Sequence, residues 1–248
     1  MKEVLTFVEQ KKHEFAQHPL CKFLQDKSID PRQRLSWAPC LTPFSMAFGE
    51  LNRVVLRQEP TDDPYQALIN KHTYEDDHHW IWFLEDLEKL GLDHDMRFSD
   101  AMRFLWSERT QKTRDVCHKI ALHTFGVEPV VILAAIEAIE ATGNVVLSLT
   151  AEVAQELQQA TKHNYRYFGQ HHFCVETGHA MGTDDVEALL EKIQFTEEQH
   201  AQAIALVDKV FEVFTESLDE LMDYIQTHSL DQPYATTRAG KTPVLSAA

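Results

Sequence analysis

Apolar residues recur along this chain at helical intervals. Leu5, Val8 and Phe15 share one face of a helix expected over residues 2–15. Leu41, Phe44, Phe48, Leu51 and Val55 step by 3, 4, 3 and 4, a single stripe on a 3.6-residue helix. Asp63 followed by Pro64 reads as an N-cap with proline at the first helical position. The helix it opens is expected to run through HTYEDDHHWIWFLEDLEKL and to stop at Gly91. Another starts near Ser99, with Met102, Leu105 and Trp106 inward. Pro129 opens VVILAAIEAIEATGNVVLSL, apolar nearly all round and therefore expected at the centre. A further helix covers Tyr165 to Ala180. Asp184 with Glu187, and Thr196 with Gln199, have capping-box spacing. The last helix runs from about Thr196 to Gln226 and carries Ile204, Val207, Val210, Phe211 and Phe214. Residues 1–228 therefore read as one all-α bundle of seven or so helices. Residues 229–248, polar and small, read as a mobile tail.

Composition narrows the function. The 248 residues carry 23 Lys and Arg against 39 Asp and Glu, a formal charge of −16. That balance, with no long basic run, argues against nucleic acid and anionic membrane surfaces as partners. No window reaches the roughly 18 consecutive apolar residues of a membrane span. The N-terminal stretch is too charged for a signal peptide, and Cys21, Cys40, Cys117 and Cys174 lack CxxC spacing, so reduced thiols in a cytoplasmic setting are expected. The unusual count is histidine, 14 in all.

About half of those histidines have no second ligand at helical spacing on a stripe that continues into an apolar face, and read as background. The others gather in two windows. In His72-Thr-Tyr-Glu75-Asp76-Asp77-His78-His79, positions 72, 75, 76 and 79 share a face that continues through Phe83, Asp86, Leu87 and Leu90. A solvated acidic first turn explains that window as well as a metal site does. In His171-His172-Phe-Cys-Val-Glu176-Thr-Gly-His179, residues His172, Glu176 and His179 stand at i, i+4 and i+7. Packing explains that spacing poorly. Glu137 and Glu140 interrupt an apolar helix, where a carboxylate stays charged only if a metal or a basic side chain meets it. This mixture of imidazole and carboxylate suits iron or manganese pairs better than zinc. Cys174 lies beside the second window, but no sequence feature activates it.

The chain resembles the heme-oxygenase-like diiron oxidases, relatives of the thiaminase-type and PQQ-biosynthesis-type helical proteins, over roughly residues 10–225. The carriers are HTYEDDHHWIWFLEDLEKLG, AIEAIEAT and the H-x3-E-x2-H of HHFCVETGH. The resemblance implies a seven-helix bundle with Glu75 (or Asp76) and His79, Glu140, and His172, Glu176 and His179 as catalytic metal ligands. On spacing, Glu75 pairs equally with His78. The resemblance further implies two Fe(II) per chain, with Mn possible, O2 as co-substrate, and oxidation of a small organic substrate by C–H or C–C cleavage or N-oxygenation. A homodimer is compatible with it. Two alternatives stay open: a metal-free relative acting on a small heterocycle through Cys or Glu, and a non-catalytic ligand- or partner-binding protein.

Overall fold

The computed structural model describes residues 1–177 and 189–235; of residues 176 and 177 only the backbone is described. Among the described residues, which hold no strand and a further helical stretch at 189–192, eleven α-helices are delimited. They are α1 (Lys2–Phe15), α2 (Pro19–Gln25), α3 (Pro31–Arg34), α4 (Ala38–Glu50), α5 (Pro64–Asp76), α6 (Trp80–Lys89), α7 (Phe98–Leu105), α8 (Gln111–Thr124), α9 (Pro129–Thr161), α10 (Gln170–Thr177) and α11 (Glu197–Thr227). A π-helical turn, Leu51–Leu56, continues α4.

Local chemistry explains most starts. Pro19, Pro31, Pro64 and Pro129 occupy the first turn of α2, α3, α5 and α9, where a missing N–H costs nothing. The Asp63 carboxylate accepts the N–H groups of Tyr65 and Gln66 at 2.8 and 2.9 Å. Thr196 and Gln199 form the expected capping box of α11. The Asp184–Glu187 box lies outside the described residues.

α9 is the central element, contacted by α1, α2, α3, α5, α10 and α11. An 18-residue window of it has a mean hydropathy of 1.9, long and apolar enough to cross a membrane, but 72% of that window is buried. Its apolar surface is used on the core. Edge-to-face pairs lock neighbours around it: Phe15 with Phe211 at 5.9 Å, Trp37 with Phe168 at 5.7 Å, and Phe44 with Phe214 at 5.6 Å.

The helix expected from Pro64 to Gly91 is two helices. After Asp76 the chain tightens, with Ile81 and Trp82 donating to the carbonyls of His78 and His79 at 3.3 and 3.1 Å. The break is held from outside. A Cβ on Gly49 of α4 would lie 2.6 Å from the Asp77 carbonyl oxygen, so α4 passes at backbone contact. Arg57 then bonds the Asp77 carboxylate at 2.8 Å and the Thr73 hydroxyl at 2.9 Å. Burial, the largest single influence, raises the Asp77 pKa, but the hydrogen bonds and charges of Arg57 and His78 together outweigh it and hold the carboxyl below its ordinary range.

The helix expected from Ser99 also divides, into α7 and α8. Phe104, 1% exposed, takes the inward place, while Trp106 is 69% exposed. α8 has no side-chain cap from its own N-cap residue, Thr110. Glu220 of α11 supplies it, accepting the N–H groups of Lys112 and Thr113, each at 2.8 Å. The chain also stays on the body past residue 228. The Tyr224 hydroxyl donates to the Pro233 carbonyl, the Tyr234 hydroxyl to the Leu92 carbonyl, and His228 Nε2 lies 2.8 Å from the Ala235 carbonyl. Residues 236–248 lie outside the described residues.

Candidate metal centre

The helical period sets the first group of donors. His72 and Asp76 stand one turn apart on α5, and both face α9 at Glu140. His72 Nε2 lies 3.2 Å from an Asp76 oxygen, and its Nδ1 lies 3.5 Å from a Glu140 oxygen. One ligand atom from each of the three falls within 4.8 Å of the others. The His72 and Asp76 side chains are 1% exposed and Glu140 is 20% exposed. Two carboxylates gathered out of water repel each other unless a proton or a cation is shared between them. His72 in its protonated form is one such partner, and a divalent cation is the other.

The second group forms across α6 and α10. His172 Nε2 lies 3.0 Å from His79 Nδ1. His172 Nδ1 lies 2.9 Å from the Tyr167 carbonyl oxygen, which can only accept, so Nδ1 carries the proton. In neutral His172 the lone pair is therefore on Nε2, the nitrogen a metal would use. The His79 ring stacks on Trp82, with centroids 4.5 Å apart at 18°. The Arg166 guanidinium lies 4.8 Å from the Trp82 ring.

His172 is aimed by a carboxylate far from it in sequence. Asp86 of α6, fully buried, accepts the N–H groups of Arg166, Tyr167 and Phe168 at 3.0, 2.8 and 3.1 Å, and the Lys89 ammonium at 3.2 Å. These bonds hold residues 166–168 out of a helix, so α10 begins at Gln170 and not at the expected Tyr165. The same loop carries the Tyr167 carbonyl that orients His172. Asp86 thus fixes both the start of α10 and the tautomer of its buried histidine.

A cavity of about 120 Å³ reaches these groups, with Asp76, His79, Glu140 and His172 in its lining. Its other walls are mainly aromatic and aliphatic, from α1, α4, α9 and α11. Of the residues expected as ligands, the structure brings His79, Glu140 and His172 to this cavity. Glu75 is half-buried on the same turn as Asp76 but outside the lining. His78 and His171 are exposed, whereas His79 and His172 are buried. The side chain of Glu176 and all of His179 lie outside the described residues. Cys174 is exposed and not in the lining.

His72 belongs to the stripe read from the sequence, yet no expected ligand set includes it. The signal was there: i, i+4 spacing to Asp76 on the face that enters the core. Asp86 was visible only as a polar interruption of that stripe. Among the histidines read as background, His18 is structural: its Nδ1 caps α2 by accepting the Leu20 N–H at 3.1 Å, and its Nε2 lies 3.1 Å from Asp219.

No family model and no curated protein sequence matches the chain. Among solved structures, it is similar to a domain of unknown function with a heme oxygenase-like fold from Shewanella denitrificans OS217. The TM-score is 0.60, with 14% sequence identity over 91% of this chain and 91% of that one. At that identity the likeness speaks for architecture alone: this chain has an all-α, heme oxygenase-like fold.

Proposed function

We propose that the chain is a non-haem diiron oxidoreductase that uses O2 to oxidise a small organic substrate. The observation that carries this reading is the convergence of His72, Asp76 and Glu140, of which Asp76 and Glu140 line the same apolar cavity as the His79–His172 pair. Imidazole and carboxylate in this proportion suit Fe(II), with Mn(II) second. His72, Asp76, Glu140, His79 and His172 would hold the ions. Glu176 and His179 are proposed as further ligands on their sequence spacing from His172 alone. When bound, iron would supply O2 activation and the oxidising equivalents.

The chain's own residues do the rest. Asp76 and Glu140 bring negative charge that offsets the ions. His72 lies between those carboxylates, 3.2 Å from an Asp76 oxygen and 3.5 Å from a Glu140 oxygen. The Tyr167 carbonyl keeps the His172 lone pair on Nε2. The aromatic walls exclude bulk water and confine the substrate near the donors.

The test is metal uptake by the full chain under anaerobic Fe(II) loading, followed by O2 consumption. About two irons per chain are expected on the logic of bundle-borne carboxylate sites. Glu140→Ala and His172→Ala should lower that number. Wild-type protein that takes up neither Fe(II) nor Mn(II) would sink the proposal.

A further inference from the structure

The cavity beside the donors has a chemical character of its own. Gly143 lines it, in the interior of the 33-residue helix α9. Glycine weakens a helix interior, so it usually stands where something packs too closely for a side chain. Here a Cβ at position 143 would meet nothing within 4 Å. Its missing side chain leaves open volume.

The cavity as a whole has a volume of about 120 Å³. An apolar cavity of roughly 150 Å³ accommodates benzene. The space therefore takes a molecule about the size of one aromatic ring.

The lining also selects against charge. It includes no lysine or arginine among the described residues, and residues 178–188 contain none in their sequence. Its polar groups are largely committed. The hydroxyls of Thr142, Thr150 and Ser217 donate to carbonyls of their own helices at 2.8, 3.2 and 2.7 Å. The Trp37 indole N–H donates to the Arg34 carbonyl at 2.7 Å. Ser45 and Tyr167 bond each other at 3.0 Å, which uses one of their two protons. Away from the proposed ions, an anion entering this wall finds no counter-charge and few donors. A cationic substrate would need the carboxylates that the proposed metals neutralise.

We infer that the substrate is a compact, uncharged, hydrocarbon-rich molecule of about one ring in size. It is seated in the space left by Gly143, with its oxidisable carbon toward Asp76, Glu140, His79 and His172. The substrate class rests on the oxidoreductase reading; the pocket itself does not.

The experiment uses fluorobenzene as probe, with 4-fluorobenzoate and 4-fluorobenzylamine as charged counterparts. Binding is read by 19F NMR and thermal shift on the full chain, both EDTA-treated and loaded with redox-inert Zn(II). Fluorobenzene should bind both forms. 4-Fluorobenzoate should bind the EDTA-treated form, and 4-fluorobenzylamine the Zn(II) form, roughly a hundredfold more weakly than fluorobenzene does. Gly143→Leu should weaken fluorobenzene binding at least about tenfold by filling the space. Val146→Phe is a second plug should Gly143→Leu misfold.

No fluorobenzene binding, equal binding of a charged probe to the form named for it, or indifference to both plugs would each overturn the inference. If wild-type protein loads Fe(II) yet binds no fluorobenzene, the pocket assignment fails and the metal reading stands. If it binds fluorobenzene in EDTA yet loads no metal, the pocket stands and the oxidoreductase reading fails.

Discussion

The imidazoles of His172 and His79 face each other nitrogen to nitrogen, Nε2 to Nδ1 at 3.0 Å. With the His172 proton committed to the Tyr167 carbonyl, His79 Nδ1 must donate in the neutral pair. Each ring then presents one defined lone pair. Replacing His172 by Phe keeps a ring of similar shape and removes both nitrogens. Metal affinity, read by Co(II) or Zn(II) titration of folded protein, should fall by at least about the 10- to 100-fold that loss of a mere supporting partner costs. Unchanged affinity would remove His172 from the ligand set.

Asp86→Ala tests the support behind that histidine. It leaves three buried N–H groups without their acceptor, and the expected loss of stability is about 2–4 kcal/mol. A purely structural role ends there. A positioning role adds a second effect: weaker metal binding under conditions where the variant is fully folded, by about tenfold or more. Thermal melts and metal titrations on one sample separate the two.

Two helical glycines should respond with opposite signs. Gly143→Ala adds a methyl in open space and a better helix former, so it should stabilise by about 0.5–1 kcal/mol. Gly49→Ala drives a methyl to 2.6 Å from the Asp77 carbonyl oxygen. It should destabilise by about 1–3 kcal/mol and disturb the break before His79. Denaturant midpoints of the two variants check both signs.

His228 gives a pH dependence. Burial lowers its pKa below the ordinary 6.5, against the carbonyls of Ala235 and Tyr224, which favour the charged ring. The unfolded chain therefore takes up this proton before the folded one does. The resulting stability is complete above 6.5 and is lost as pH falls from there toward the folded pKa. Wild type should lose thermal stability between about pH 7 and about pH 5 more steeply than His228→Phe. Parallel slopes would show that the ring charges freely in the fold.

The legible parts of this molecule were those whose signals are local. Proline at the first turn, Asp63 as cap and the Thr196–Gln199 box each act within four residues, and the structure has all of them. The illegible parts depend on distant partners. Nothing near Gln111 announces a helix start, because the cap is a carboxylate in α11. The break after Asp76 is held by Gly49 and Arg57, so the apolar stripe alone read as continuous. At the site, spacing brought out the window around His72 but did not separate Glu75 from Asp76, or show that His72 stands with Asp76 and Glu140. Those distinctions depend on how α5 is rotated against α9, which one helix's periodicity does not encode.

Glu220→Ala would expose the remote cap directly, with an expected loss of about 1–2 kcal/mol and earlier fraying of α8 by hydrogen exchange. The cap also sets an order of assembly. A chain leaves the ribosome N-terminus first. Every proposed ligand, from His72 to His179, is synthesised before the first residue of α11. That last helix brings both the carboxylate that closes α8 and the Phe214, Ser217, Leu218 and Leu221 wall of the cavity. A nascent chain halted ahead of Glu197 therefore holds its whole donor set on an unclosed scaffold. The proposed donors thus precede the last wall of the cavity they share, and α11 arrives as its closing piece.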